Sequence, residues 1–274
     1  MINRGDEMDK QQEVVGLIPA AGQARRIAPL PCSKELYPIG FRSVGQGGEV
    51  RPKVVCHYLL EKMKLAGVKR AFFVLHSGKW DIPTYLGDGA LVGLDLAYVM
   101  TGNPFGPPYT LDQAFPFVRN ETIAFGFPDI LFKPDDAFIQ LLARQNATKA
   151  DVILGLFPAH DCRQMDMVDL HGDGRIRSIL LKPVQTTLLY TWVCAVWAPA
   201  FTSFMHQYLA TFRHADFSDE TLQHQPAQAE LSVGAVLQAA IQQGLRAEGV
   251  LFSTGTYVDI GTPEGLRKAL QASC

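Results

Sequence analysis

The run Val14-Val15-Gly16-Leu17-Ile18 is apolar without alternation, and it breaks at once into Pro19-Ala20-Ala21-Gly22 and a pair of arginines, Arg25-Arg26. A strand that is apolar on both faces must be covered on both, as parallel strands inside an α/β sheet are. A small-residue turn at the end of such a strand can bring backbone N–H groups close to a phosphate chain. Arg25, Arg26 and Lys34 follow near enough in sequence to neutralise what those amides cradle. The opening of the chain therefore points to a buried strand that ends in an anion site.

The rest of the sequence alternates in the same style. Val14–Pro19, Arg70–Leu75, Leu94–Met100, Thr122–Phe127 and Asp151–Phe157 read as strands. Lys53–Ala66 and Asp135–Arg144 between them carry helical spacing. Strands separated by helices predict a doubly wound, mainly parallel sheet. Met167–Leu170 and Ile176–Leu181, joined by Gly172-Asp173-Gly174, predict a β-hairpin. Leu188–Trp197, the helices Ala200–Thr211 and Ser232–Gly244, and strands near Gly249–Phe252 and Tyr257–Ile260 continue the pattern. Pro263–Ala272 reads as a closing helix with Pro in its first turn. Two Gly/Pro-rich stretches, Arg42–Pro52 and Thr101–Tyr109, read as loops at the carboxyl ends of strands, where open sheets bind ligands.

Composition excludes several classes. A chain of 274 residues with 47% apolar and 19% charged residues is globular rather than disordered. One domain spanning 14–274, behind a polar lead at 1–13, fits the roughly 250 residues that α/β folds often reach. The net charge of −2, without a basic block, gives no footprint for nucleic acid. Five scattered cysteines, never in C-x-x-C spacing, predict a reducing compartment and no structural zinc. Neither a signal peptide nor a run long enough for a membrane helix is present, so the expectation is a cytoplasmic protein. The seven histidines show no metal-ligand spacing and read as satisfied or solvent-facing. Gly87-Asp88-Gly89 reads as structural, and Trp80, Trp192 and Trp197 as core or pocket wall.

Three segments resemble the sugar-phosphate nucleotidyltransferases, the pyrophosphorylases that make nucleotide sugars. The first is the turn Ala20-Ala21-Gly22 through Arg26, Pro29 and Ser33-Lys34-Glu35-Leu36-Tyr37-Pro38-Ile39. The second is Phe127-Pro128-Asp129, where that family carries Leu-Gly-Asp, and the third is Tyr257-Val258-Asp259-Ile260-Gly261-Thr262-Pro263. The order is right and spans almost the whole chain, in the manner of the glucose-1-phosphate thymidylyl- and uridylyltransferases. The resemblance implies a Rossmann-like, mixed but mainly parallel sheet with a small β-hairpin subregion that binds the sugar. It also implies transfer of a nucleotidyl group from an NTP to a sugar 1-phosphate, with Mg²⁺ assisting and pyrophosphate leaving. Because the nucleophile is already an anion, positioning and electrostatics must supply most of the acceleration.

Carried over residue by residue, Asp129 and Asp259 become the Mg²⁺ carboxylates. Arg26 becomes the clamp on the β- and γ-phosphates, and Lys34 the transition-state cation. Ala20, Ala21 and Gly22 form the phosphate loop, with Arg25 either a second clamp or a surface residue. Thr101, Thr110 and Gln113 stand where relatives read the base. Asp166, Asp169 and Lys182 stand in the sugar-phosphate pocket. The departures are instructive. In the loop only Gly22 keeps glycine's backbone freedom, Leu181 replaces a Glu beside Lys182, and Asp166 replaces a Gly. The base (dTTP, UTP or CTP) and the sugar stay open, and a homo-oligomer is compatible with the resemblance. Two other readings stand beside it: a nucleotide-sugar-binding sensor without turnover, and a cytidylyltransferase acting on a non-sugar phosphate. The family's C-terminal left-handed β-helix is expected to be missing, since the chain stops soon after the closing helix.

Overall fold

The computed structural model describes residues 13–44, 48–102, 106–213 and 231–272. Residues 1–12 of the polar lead, Gly45-Gln46-Gly47, Asn103-Pro104-Phe105, His214, His224 and Cys274 lie outside the described residues.

The chain starts with β1 (Val14–Ala20), then a 3-10 turn (Lys34–Leu36), β2 (Pro38–Val44), β3 (Glu49–Val54) and helix α1 (Val55–Leu65). There follow β4 (Arg70–His76), α2 (Asp81–Leu86), β5 (Asp95–Thr101), α3 (Pro107–Asp112) and α4 (Phe115–Val118). The middle holds β6 (Thr122–Gly126), β7 (Ile130–Lys133), α5 (Ala137–Thr148), β8 (Val152–Pro158), β9 (Met167–Leu170), β10 (Ile176–Leu180) and β11 (Tyr190–Trp197). The last elements are α6 (Pro199–Arg213), α7 (Val233–Gln242), β12 (Ala247–Leu251), β13 (Thr256–Asp259) and α8 (Pro263–Ala272).

Nine strands form one sheet in the order β10-β9-β11-β6-β1-β4-β5, with β8 and β12 branching from β11. β1 pairs in parallel with both β4 and β6, and β5 continues in parallel beyond β4. β11 runs antiparallel to β6, β8 and β9, so the sheet is mixed but mainly parallel, as expected. Side chains of β1 alternate between two cores. Val15 and Leu17 pack with Phe125, Trp197 and residues of α6 and α7, while Ile18 and Ala20 pack with Phe73 and α1. Burial on both faces is what the unbroken apolar run demanded.

The β9–β10 hairpin is present, turning at Gly174 with a φ of +87°. Three expectations fail. Arg42–Pro52 is not a loop but most of an antiparallel ribbon, with Arg42 opposite Arg51 and Ser43 opposite Val50. Among the described residues the ribbon pairs only within itself and forms a small sheet of its own. Most of its side chains are exposed or half-buried, so it carries no hydrophobic alternation from which to read it. Another miss is β7, whose four residues pair with β13, so that the Tyr257 segment joins a second small sheet rather than the main one. Trp80, read as core or pocket wall, is 60% exposed.

Gly16 marks a close approach of β1 to β4 in the core. A Cβ there would lie 2.7 Å from the Cβ of Ala71 and 3.0 Å from the sulfur of Met63. Overpacking of this kind usually costs about 1–3 kcal/mol. Gly16→Ala is expected to lower stability by about that amount in denaturant unfolding.

Candidate active site

The loop after β1 sets one wall. Ala20 and Ala21 are buried, and the chain then turns outward through Gly22 and Gln23. The left-handed residue of this loop is Ala24, at φ +53°, and Gly22 is not among the residues with positive φ. The conformational freedom expected of Gly22 is therefore exercised by an alanine. Gly22 lies beside Lys34, where a Cβ would make only an ordinary contact, 3.9 Å from Lys34 Nζ.

Lys34 projects from the 3-10 turn and meets Asp129 Oδ2 at 2.5 Å, with both side chains largely buried. Asp129 lies just after β6, at the carboxyl end of the sheet beside β1. Asp259 ends β13, opposite Ile130 in the β7–β13 ribbon, so the residue pairing itself places the two acids together. The Ile260 N–H donates to the Asp129 carbonyl at 3.0 Å and ties their backbones. Asp259 Oδ1 accepts the Gly261 N–H at 2.7 Å, and Arg26 approaches Asp259 Oδ2 at 3.5 Å. Arg25 turns instead to its neighbour Gln23, at 2.9 Å.

Gly261 is the centre of this arrangement. A Cβ there would lie 2.9 Å from Asp259 Oδ1, 3.2 Å from Asp129 Oδ2 and 3.2 Å from Arg26 Nη2. The two acids, one arginine and, through Asp129, Lys34 thus converge on one small cradle. Burial and the neighbouring Asp129 charge hold the Asp259 carboxyl above its ordinary pKa, against the pull of Gly261, Arg26 and Lys34. Lys34 is lowered by burial, but Asp129 and Glu35 outweigh this and raise its pKa, so it stays an ammonium.

No group of three or more His, Cys, Asp or Glu side chains converges for a metal among the described residues. Mg²⁺ needs fewer, because it takes one or two protein carboxylates and completes its shell with phosphate oxygens and water. Asp129 and Asp259 fit that donor set.

The other candidates sit apart from this cradle. Thr101 is buried at the end of β5. Thr110 Oγ1 donates to the Gly106 carbonyl at 3.3 Å, and Gln113 Nε2 to the Tyr109 carbonyl at 3.2 Å, so both turn toward their own helix. Asp169 is engaged across the hairpin by Arg177, at 3.2 Å. Lys182 is exposed, with φ +40°. Its N–H and the Trp192 indole both donate to Asp166, whose carboxyl burial nonetheless pushes up. Asp166 Oδ2 packs on Gly234 of α7, where a Cβ would come within 2.1 Å, while Oδ1 is buried without a partner among the described residues. Met165 links this region to the acids, because its sulfur accepts from Tyr257 Oη at 2.6 Å, two residues before Asp259.

The motifs did not single out the segment from His76 to Asp81. His76, Lys79 and Asp81 line a cavity of about 440 Å³ together with Ala21, Gln23 and Lys34. A lone His and a Lys in a loop carry no sequence signal, since only the pairing of β4 with β1 brings them here. His57 is another departure, fully buried with neither ring nitrogen partnered among the described residues. Burial, then Arg42 and Lys53, lowers its pKa to about 4.

The fold, a nine-stranded mixed sheet with the β7–β13 ribbon beside it, is similar to that of sugar-phosphate nucleotidyltransferases of known structure, in line with the resemblance in the motifs. A protein described as a glucose-1-phosphate thymidylyltransferase of Bacillus anthracis, solved with a sucrose, superposes with a TM-score of 0.76 at 18% identity over 95% of each chain. The UTP-bound UGPase of Acinetobacter baumannii gives 0.74 at 17% identity, over 95% of this chain and 93% of that one. In sequence, the chain is 22% identical over 260 residues to the low-salt glycan biosynthesis nucleotidyltransferase Agl11 of Haloferax volcanii, covering 93% of this chain. It spans 65% of the length of that protein. No family model matches the chain.

Because the charged form of Asp259 is disfavoured in the fold, its neutral isostere should relieve the strain. Asp259→Asn is expected to melt above the parent at pH 7. The gap should close as the pH falls through the raised pKa and the parent carboxyl takes its proton. Thermal unfolding across pH checks this, and a lower melting point at pH 7 would contradict it.

Proposed function

We propose that the chain is a nucleotidyltransferase that joins an NTP to a sugar 1-phosphate and releases pyrophosphate. The observation that carries this reading is the convergence of Lys34, Asp129, Asp259 and Arg26 on the Gly261 cradle, beside the loop after β1. An anion-poor loop, two cations and two acids suit a reaction between polyanions. In the reaction an oxygen of the sugar phosphate bonds to the α-phosphorus. The bond from that phosphorus to the bridging oxygen breaks, and pyrophosphate departs with the electron pair. No proton need be removed from the nucleophile.

Asp129 and Asp259 would hold Mg²⁺, which when bound neutralises charge on the phosphates. The backbone from Ala20 to Gly22 approaches the triphosphate, and Arg26, 62% exposed in its side chain, is free to fold over the β- and γ-phosphates. Lys34 faces the α-phosphate, where fixed positive charge counts most as the transition state forms. Arg25, paired with Gln23, is a surface arginine in this reading. The β5 end with Thr101, and Thr110 and Gln113 of the next helical segment, would form the base side, with dTTP, UTP or CTP as the donor. Asp166, Asp169 and Lys182 would form the acceptor side. Four described cysteines are free thiols, which accords with work in a reducing compartment such as the cytoplasm. Asp166 favours a second reading, because its carboxylate crowds the acceptor side and would suit a nucleotide-sugar binder without turnover.

Pyrophosphate release with Mg²⁺, screened over NTPs and sugar 1-phosphates, tests the proposal. The parent should turn over one pair. Lys34→Gln should lose about 10²–10³-fold in kcat, as for other single charge-stabilising groups. Asp129→Asn should be inactive. Tight nucleotide-sugar binding without turnover of any pair would favour the second reading.

A further inference from the structure

Beneath Lys34 lies charge that the proposed chemistry does not use. Glu35, the next residue in the 3-10 turn, is 1% exposed, and its Oε2 accepts Lys79 Nζ at 2.6 Å. On the other side of Lys34, the Ser33 N–H donates to Asp81 Oδ2 at 2.6 Å and its hydroxyl to Asp81 Oδ1 at 2.7 Å. Lys79 stands in the short segment that joins β4 to α2, and Asp81 is the first residue of α2. From His76 to Asp81 only Lys79 is buried, so apolar side chains do not anchor this segment against the turn.

A buried ion pair is weak support for stability, since apolar residues of similar volume usually serve as well or better. Two polar clamps on the flanks of a single lysine are better explained by geometry. A lysine has a long, freely rotating stem, and its ammonium can be preorganised only if the backbone below it is fixed. We propose that Lys79 and Asp81 are positioning residues, which lock the 3-10 turn so that Lys34 stands at the carboxylates before substrate arrives. Glu35 adds Coulombic attraction to the Lys34 ammonium, although burial, only partly offset by Lys79 and Lys34, raises its own carboxyl pKa. The proposal rests on the role given to Lys34 above, and its first readout does not need turnover.

The test compares Asp81→Ala, Asp81→Asn and Lys79→Met with the parent. Asparagine can still bridge Ser33 with one acceptor and one donor, whereas alanine cannot. In the ligand-free protein, amine acetylation mapped by mass spectrometry, normalised to the exposed Lys268, reports how well Lys34 is held. Labelling of Lys34 should rise several-fold in Asp81→Ala and Lys79→Met and stay at the parent level in Asp81→Asn. With a turned-over substrate pair, kcat should fall about 10–100-fold in the first two while KM for the NTP holds, because misplacement of the order of 1 Å costs that much. If Lys79→Met fails to fold, its unpaired Glu35 being buried, Asp81→Ala decides. A folded Asp81→Ala protein with parental Lys34 labelling overturns the proposal, as does a loss carried by KM alone. If the parent turns over nothing, the labelling still decides whether the clamp exists, and the failure belongs to the proposed function.

Discussion

Two carboxylates held against each other's repulsion are the constraint around which this structure is arranged. Asp129 and Asp259 are 130 positions apart in the chain. They meet because β13 pairs with β7 and sets Asp259 opposite Ile130. Like charges this close raise a carboxyl pKa unless something compensates. Lys34 pairs with Asp129, while Arg26 and the Gly261 N–H only partly offset the rise at Asp259. Under the proposed function, that residual negative charge is what a divalent cation would neutralise.

The surrounding elements serve that encounter. β1, buried on both faces, fixes the loop that carries Arg26, and the parallel β6 beside it delivers Asp129 to the same edge. The start of α8 closes on Asp259 from behind. A Cβ on Gly265 would lie 1.9 Å from the Asp259 carbonyl, so only glycine lets the helix begin that close. The small residues at Gly261 and Gly265 are therefore spatial requirements of the acid pair rather than turn residues in general.

Much of this could be read from the residues, for identifiable reasons. The central strands were legible because burial on both faces leaves unbroken apolar runs, as in Val14–Ile18 and Val152–Phe157. Arg26, Lys34, Asp129 and Asp259 were legible through motifs, and the fold brings these four together. The β2–β3 ribbon was not, because most of its side chains are not buried and hydrogen bonding alone writes no pattern. β7 was hidden by its length of four residues. The left-handed Ala24 defeated the rule that glycine takes such positions, which surrounding structure can override. Lys79 and Asp81 acquire meaning only from the contact with Glu35 and Ser33, across more than 40 positions.

The most direct measurement is a crystal structure of the protein with Mn²⁺ and a bound nucleoside triphosphate, with the metal located by its anomalous signal. The account predicts a peak between Asp129 and Asp259, with phosphate oxygens on the same ion and Lys34 Nζ turned to the α-phosphate. A nucleotide seated away from the Gly261 cradle, or a metal that touches neither carboxylate, would contradict it.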